Sequence, residues 1–170
     1  MMQSGLPRFA NIQPYAGPGA GLNATIDFAR KEMGGAFSWE EVKRYRDRWK
    51  RPLVVKGILH PADAEIAVSI GVDGILVSNH GGRQIEALPP PIDCVPAIAK
   101  AVGSRATVLF DSGVRSGTDV ARALALGASA ALAGKAFLWG LGALGADGPG
   151  HVIDRSEEHT SELQSLAYLV

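Results

Sequence analysis

From Pro52 onward, short and wholly apolar runs alternate with longer stretches whose apolar residues recur at helical spacing. The runs are Leu53-Val54-Val55, Gly74-Ile75-Leu76-Val77, Thr107-Val108-Leu109-Phe110 and the weaker Ser129-Ala130-Ala131-Leu132-Ala133. Residues 61–70, 92–102 and 117–126 carry the helical pattern, closed by Gly71, Gly103 and Gly127. An apolar run without alternation suits a strand covered on both faces, and glycine after a helical stretch supplies a left-handed stop. Strand and helix repeating at intervals of roughly 20–30 residues predict βα units and a parallel sheet. Four units are legible. They fit half of a closed eight-stranded barrel or a small open doubly wound sheet, and periodicity does not separate the two.

Ahead of the first run the pattern changes. Residues 1–37 are rich in Gly, Pro and Asn and predict an irregular region with a short helix near residues 24–31. Ser38-Trp39-Glu40-Glu41 has capping-box spacing, so a polar helix is expected from there to about Lys50, with Pro52 as its stop. The first eight residues hold no apolar core of signal-peptide length. Residues 120–144 are apolar but are broken by Arg122, Lys135 and several glycines. They read as a buried strand flanked by helices rather than a membrane span.

Composition narrows the function classes. The 170 residues are 46% hydrophobic, with 17 basic against 17 acidic side chains. A nucleic-acid surface would need a basic excess, and there is none. Cys94 is the only cysteine, so no internal disulfide forms, and a reducing, cytoplasmic setting is expected. No Cys/His cluster has metal-site spacing. His60 precedes Pro61 in a turn, while His151 and His159 lie in a polar tail. All three read as structural or solvated. Trp39, Trp49 and Trp139 read as packing residues.

Candidate chemistry collects just after the strands, where α/β folds place their sites. Lys56 follows the first run, either snorkelling to solvent or facing an anion. Ser78-Asn79-His80-Gly81-Gly82-Arg83 follows the second. Its glycines permit close backbone approach, His80 offers an imidazole able to act as a base, and Arg83 offers a two-pronged grip for a carboxylate. A base and an anion clamp on one loop suit proton or hydride removal beside a carboxylate. Asp111-Ser112-Gly113-Val114-Arg115 and Gly134-Lys135 follow the last two runs. Each pairs glycine with a cation, as phosphate cradles do.

The string Ser78 through Gln84, with Val55-Lys56-Gly57 and Asp111-Ser112-Gly113-Val114-Arg115 around it, resembles the FMN-dependent 2-hydroxy-acid dehydrogenase and oxidase family. That family includes bacterial L-lactate dehydrogenases, flavocytochrome b2, glycolate oxidase and mandelate dehydrogenase. The resemblance implies an α/β fold in which residues 38–154 form the C-terminal half, units five to eight, of a TIM (β/α)8 barrel. It implies oxidation of an L-2-hydroxy acid such as lactate to the 2-oxo acid, with FMN as cofactor. His80 would be the base at C2 and Arg83 would bind the substrate carboxylate. Lys56 would stabilise reduced flavin and Ser78 would line it. Asp111, Ser112, Gly113, Val114, Arg115, Gly134 and Lys135 would hold ribityl chain and phosphate. Oxygen, a quinone or a cytochrome would accept the electrons. Longer relatives are expected as homo-oligomers, some of them peripheral at the inner face of the membrane.

This chain departs from the pattern at three places: Lys135 where arginine is usual, Ser112 where glycine is common, and Ile85-Glu86 in place of Leu-Asp. The family barrel is roughly twice this length. The resemblance places the substrate-pocket tyrosines and an aspartate partner for His80 on strands this chain does not include. The chain alone is therefore expected to be inactive. Two alternatives stay open: a non-catalytic half-barrel that binds flavin or phosphate, or another phosphate-binding barrel enzyme. Inosine-monophosphate dehydrogenase and type 2 isopentenyl-diphosphate isomerase, which share the phosphate end, lack the His80/Arg83 pairing. Finally, residues 155–165 resemble the translation of a sequencing-adapter oligonucleotide, so 155–170 are expected to be a non-native tail. Without residues 155–165 the charges stand at 16 basic against 14 acidic.

Overall fold

The computed structural model describes residues 10–33 and 37–167, so the expectation for the first eight residues lies outside it. The chain divides into two compact units, Met1–Ser38 and Trp39–Val170. In the first unit a 3-10 turn, Gln13–Tyr15, precedes helix α1, Leu22–Met33. The Thr25 hydroxyl donates to the Gly21 carbonyl at 3.0 Å in the first turn of α1.

The second unit is a four-stranded parallel sheet with helices between its strands. Helix α2 is Trp39–Arg48, two residues shorter than expected. The βα units then follow in order: β1 Val54–Ile58, α3 Pro61–Ile70, β2 Gly74–Val77, α4 Pro91–Val102, β3 Thr107–Phe110, α5 Gly117–Ala125, β4 Ala130–Ala131 and α6 Lys135–Leu144. Helix α7, Gly148–Ala167, closes the described chain. Strand order is β1-β2-β3-β4, each parallel to the next. A doubly wound sheet reverses its strand order at a switch point, whereas this one advances without reversal, as barrel strands do.

Local chemistry explains the boundaries. His60 caps α3 by accepting from the Ala62 N–H at 3.2 Å through Nδ1, and Gly71 ends that helix at φ 91°. At the start of α5, one Asp119 oxygen accepts from the Ser116 N–H and hydroxyl and from the Arg115 N–H, all within 3.1 Å. Those orphan donors are thus satisfied by the chain itself.

Two strand boundaries differ from expectation. β1 does not stop at Val55 but runs on to Ile58, so Lys56 lies within the strand, opposite Leu76. Gly57, at φ 98°, makes the irregularity that lets it continue: the register slips between Lys56 and Ile58. β4 is also shorter than its apolar run, at two residues.

The core lies between the two central strands and α3 and α4. Ile75, Val77, Val95, Ile98 and Val102 are fully buried, with Val108 and Phe110 beside them. β2 is buried along its whole length. β1 is not covered on both faces: Val54 and Lys56 are exposed, and β1 pairs on one side only among the described residues. Arg46 of α2 fastens this edge, donating to Asp73 at 2.7 Å and to the Gly71 and Arg51 carbonyls. Asp73 in turn accepts from the Leu53 N–H at 2.8 Å. That backbone bond, then the Arg46 guanidinium, hold the Asp73 carboxyl below its usual range against slight desolvation. At the other edge α7 packs on α5 and α6. The α6 contact has no room for side chains: a Cβ at Gly148 would land on the backbone of Gly140 and Leu141.

Candidate functional site

The loops that follow β2, β3 and β4 enclose a cleft of about 650 Å³. Nine of the residues singled out in the sequence line it: His80, Arg83, Asp111, Ser112, Gly113, Val114, Arg115, Gly134 and Lys135. Lys56 and Ser78 are not among the lining residues; they lie below, tied to it through Asp111. Val114 reaches the cleft while most of its surface joins the core, so its contribution there is chiefly backbone.

A single polar network forms the floor. Lys56 Nζ makes an ion pair with Asp111 and donates to Ser78 Oγ at 3.0 Å. Lys56 therefore does not snorkel freely; it is held by a carboxylate two strands away. Ser78 is 1% exposed, and Lys56 and the His80 N–H, at 3.1 Å, both donate to its hydroxyl. Ser112 donates to the other Asp111 oxygen at 2.7 Å and accepts from the Gly81 N–H at 3.0 Å. Burial pushes the Asp111 carboxyl up, but hydrogen bonds from Lys56, Ser78 and Ser112, with the lysine charge, outweigh it and hold it below the usual range. Asp111 is thus a fixed negative charge beneath the cleft.

Above this floor stand the groups free to meet a ligand. His80 and Arg83 are exposed on the loop after β2, and among the described residues neither forms an ion pair. The loop turns through a short 3-10 segment, His80–Gly82, with Asn79 accepting from the Gly82 N–H at 3.1 Å. At the far wall Lys135 donates to the Gly81 carbonyl at 2.8 Å. Gly134 and Lys135 open helix α6, whose N-terminus carries no side-chain cap. Its first N–H groups, unlike those of α5, are not satisfied by a side chain of the helix. A bare helix start with Lys135 and Arg115 beside it is the donor set a phosphate needs. Gly113, at φ 97° with nothing within 4 Å of a Cβ position, leaves backbone open to the same space. The residues present therefore fit FMN: cations and N–H groups for phosphate, and a carboxylate that can accept from ribityl hydroxyls.

Two features escaped the sequence. Trp139 is not a buried packing residue: it is 54% exposed, and the Arg115 guanidinium lies 5.2 Å from its ring centroid. Its position one turn into α6 sets it beside the loop after β3, a neighbourhood that spacing does not reveal. Leu132 and Leu138 give the cleft an apolar wall, also unforeseen, with Leu138 67% exposed. His60, read from the sequence as structural or solvated, takes a structural role as the cap of α3.

Comparison with known proteins gives three findings. The family model described as "FMN-dependent dehydrogenase" matches residues 7–166. An L-lactate dehydrogenase of Caulobacter vibrioides is 46% identical over 147 residues, 86% of this chain and 38% of its own; one of Acinetobacter baylyi is 44% identical over 144 residues, 85% and 38%. Among solved structures, a mandelate oxidase superposes with a TM-score of 0.74 at 43% identity, covering 78% of this chain and 39% of that one. A mandelate oxidase variant carrying a monooxide FMN adduct gives 0.73 at 43% identity, covering 78% and 42%. The chain spans about two fifths of the length of these relatives.

Proposed function

The chain belongs to the FMN-dependent dehydrogenase family, and on that premise we propose that its cleft is the C-terminal half of a site oxidising an L-2-hydroxy acid, L-lactate above all, to the 2-oxo acid. The observation that carries this reading is convergence: base, carboxylate clamp and phosphate donors, from the ends of three consecutive strands, face one cleft. FMN bound there supplies the two-electron acceptor.

The chain's own residues divide the remaining work. Arg83, exposed and unpaired among the described residues, grips the substrate carboxylate with its fork of N–H donors and so orients C2. His80 takes the proton that the substrate gives up on becoming a 2-oxo acid. Lys56, held by Asp111 and Ser78, sets a positive charge where the reduced cofactor gathers negative charge. Arg115, Gly134 and Lys135 hold the phosphate, and Asp111 the ribityl hydroxyls. L-Lactate is favoured over larger acids by the identity to L-lactate dehydrogenases.

The 170 residues by themselves bind FMN but do not turn over. No carboxylate among the described residues makes an ion pair with the His80 imidazole, the kind of partner that orients a catalytic histidine. The experiment is a difference spectrum of the FMN-loaded chain on adding L-lactate, followed by a dye-reduction assay. A saturable perturbation that Arg83→Met abolishes, without dye reduction, is the expected result. A perturbation indifferent to Arg83→Met contradicts the substrate assignment and favours a half-barrel that holds only flavin. Saturable dye reduction contradicts the inactivity.

A further inference from the structure

Three consecutive residues of the loop after β2 hold left-handed backbones: His80 at φ 58°, Gly81 at 68° and Gly82 at 71°. Glycine takes that conformation freely and histidine does not. The loop lies beyond the strand ladder, so side chains must hold it there. Two of its bonds are local: the His80 N–H to Ser78 Oγ and the Gly82 N–H to Asn79 Oδ1. Partners within three residues shape a turn but do not locate it against the rest of a site.

Two others do. The Gly81 N–H donates to Ser112 Oγ at 3.0 Å, across 31 positions, and Lys135 Nζ donates to the Gly81 carbonyl at 2.8 Å, across 54. Both backbone groups of the residue after His80 are thus held from the ends of the two following strands. Ser112 is itself at φ 79°, where glycine would be easier. Its side chain is kept against that preference and is fully employed: the hydroxyl proton goes to Asp111 at 2.7 Å, leaving the oxygen to accept from Gly81. Lys135 also crowds Gly81, standing 3.2 Å from where a Cβ would be. Both residues are positions where this chain departs from the pattern it otherwise follows.

We propose that Ser112 and Lys135 are positioning residues that clamp Gly81 and thereby fix where the His80 imidazole stands in the cleft. The proposal rests on reading His80 as the base, but its test does not depend on turnover. The measurement is amide exchange at Gly81 together with the His80 ring resonances, by NMR on the 170-residue chain. The Ile75 amide, in a fully buried strand, reports whether the fold is intact. Ser112→Gly suits the local backbone and removes the hydroxymethyl group that carries the contact. It is expected to speed Gly81 exchange about tenfold, the loss of one net hydrogen bond, and to shift the His80 ring signals while Ile75 stays protected. Lys135→Met is expected to shift the same ring signals, and Lys135→Arg to restore them. Should Ser112→Gly expose Ile75, Lys135→Met decides by the same criterion. Gly81 exchange and His80 signals unchanged in the variants, with Ile75 protected, overturn the clamp. His80→Gln removes the base but not the clamp and is expected to leave Gly81 protected. Failure of the clamp thus appears in exchange, and failure of the substrate-site reading on which it rests appears in the lactate experiment.

Discussion

Asp111 shows how residue-level chemistry sets the site. Its carboxyl is held below the usual range, so its contribution to stability is fully present above the unfolded carboxylate's pKa of about 4. That contribution fades as pH falls through the lower folded value. Asp111→Asn removes this dependence and leaves Lys56 without its charge partner. Melting temperature measured downward from about pH 5 is expected to fall more steeply for the parent than for the variant. Parallel curves would contradict the role given to the ion pair. The sequence made every residue of this cluster visible as a type. It did not show the pairing, because Lys56 and Asp111 lie 55 positions apart, one in β1 and one just after β3, strands that are not neighbours. Likewise, Trp139 could be read only as a large apolar residue until α6 set it beside Arg115.

Elements were legible where their signals are local. Helix α3 ran between Pro61 and Gly71 as the pattern required, and β2 and β3 matched their apolar runs. The misread strands were the outer ones. β1 runs past Lys56 because a glycine at positive φ absorbs a register slip, and β4 is short where its partner strand on one side is all that fixes it. Packing tests follow. Ile75, at the centre of β2 and fully buried, should cost about 2–5 kcal/mol when truncated to alanine, read by urea unfolding. Gly148→Ala forces α7 off the backbone of Gly140 and should cost about 1–3 kcal/mol. An unchanged midpoint for Gly148→Ala would mean α7 is not docked as the structure has it. We also propose that residues 155–170 are dispensable. Truncation after Asp154 keeps the Gly148 contact and is expected to leave the midpoint unchanged.

At the scale of the whole molecule, four βα units of a chain in the FMN-dependent dehydrogenase family bring the loops after β2, β3 and β4 to one cleft. The chain spans about two fifths of its relatives, and one side of β1 and of β4 is unpaired among the described residues. No helix among those residues is long and apolar enough to cross a membrane. The βα rhythm and the strand-end chemistry were readable because they are properties of each unit, repeated four times. Strand order is set between units, so half-barrel and open sheet were told apart only by the family resemblance and then by the structure. Completeness of the site was not, since it depends on groups beyond any one unit. The central claim is that this cleft holds FMN by its phosphate. Equilibrium titration of FMN into the parent chain and into Lys135→Glu, followed by flavin fluorescence, tests it most directly. Saturable one-to-one binding that weakens about tenfold or more in Lys135→Glu, as reversal of a charge facing phosphate requires, is the predicted result. Absence of binding, or equal affinity in the two proteins, would contradict it.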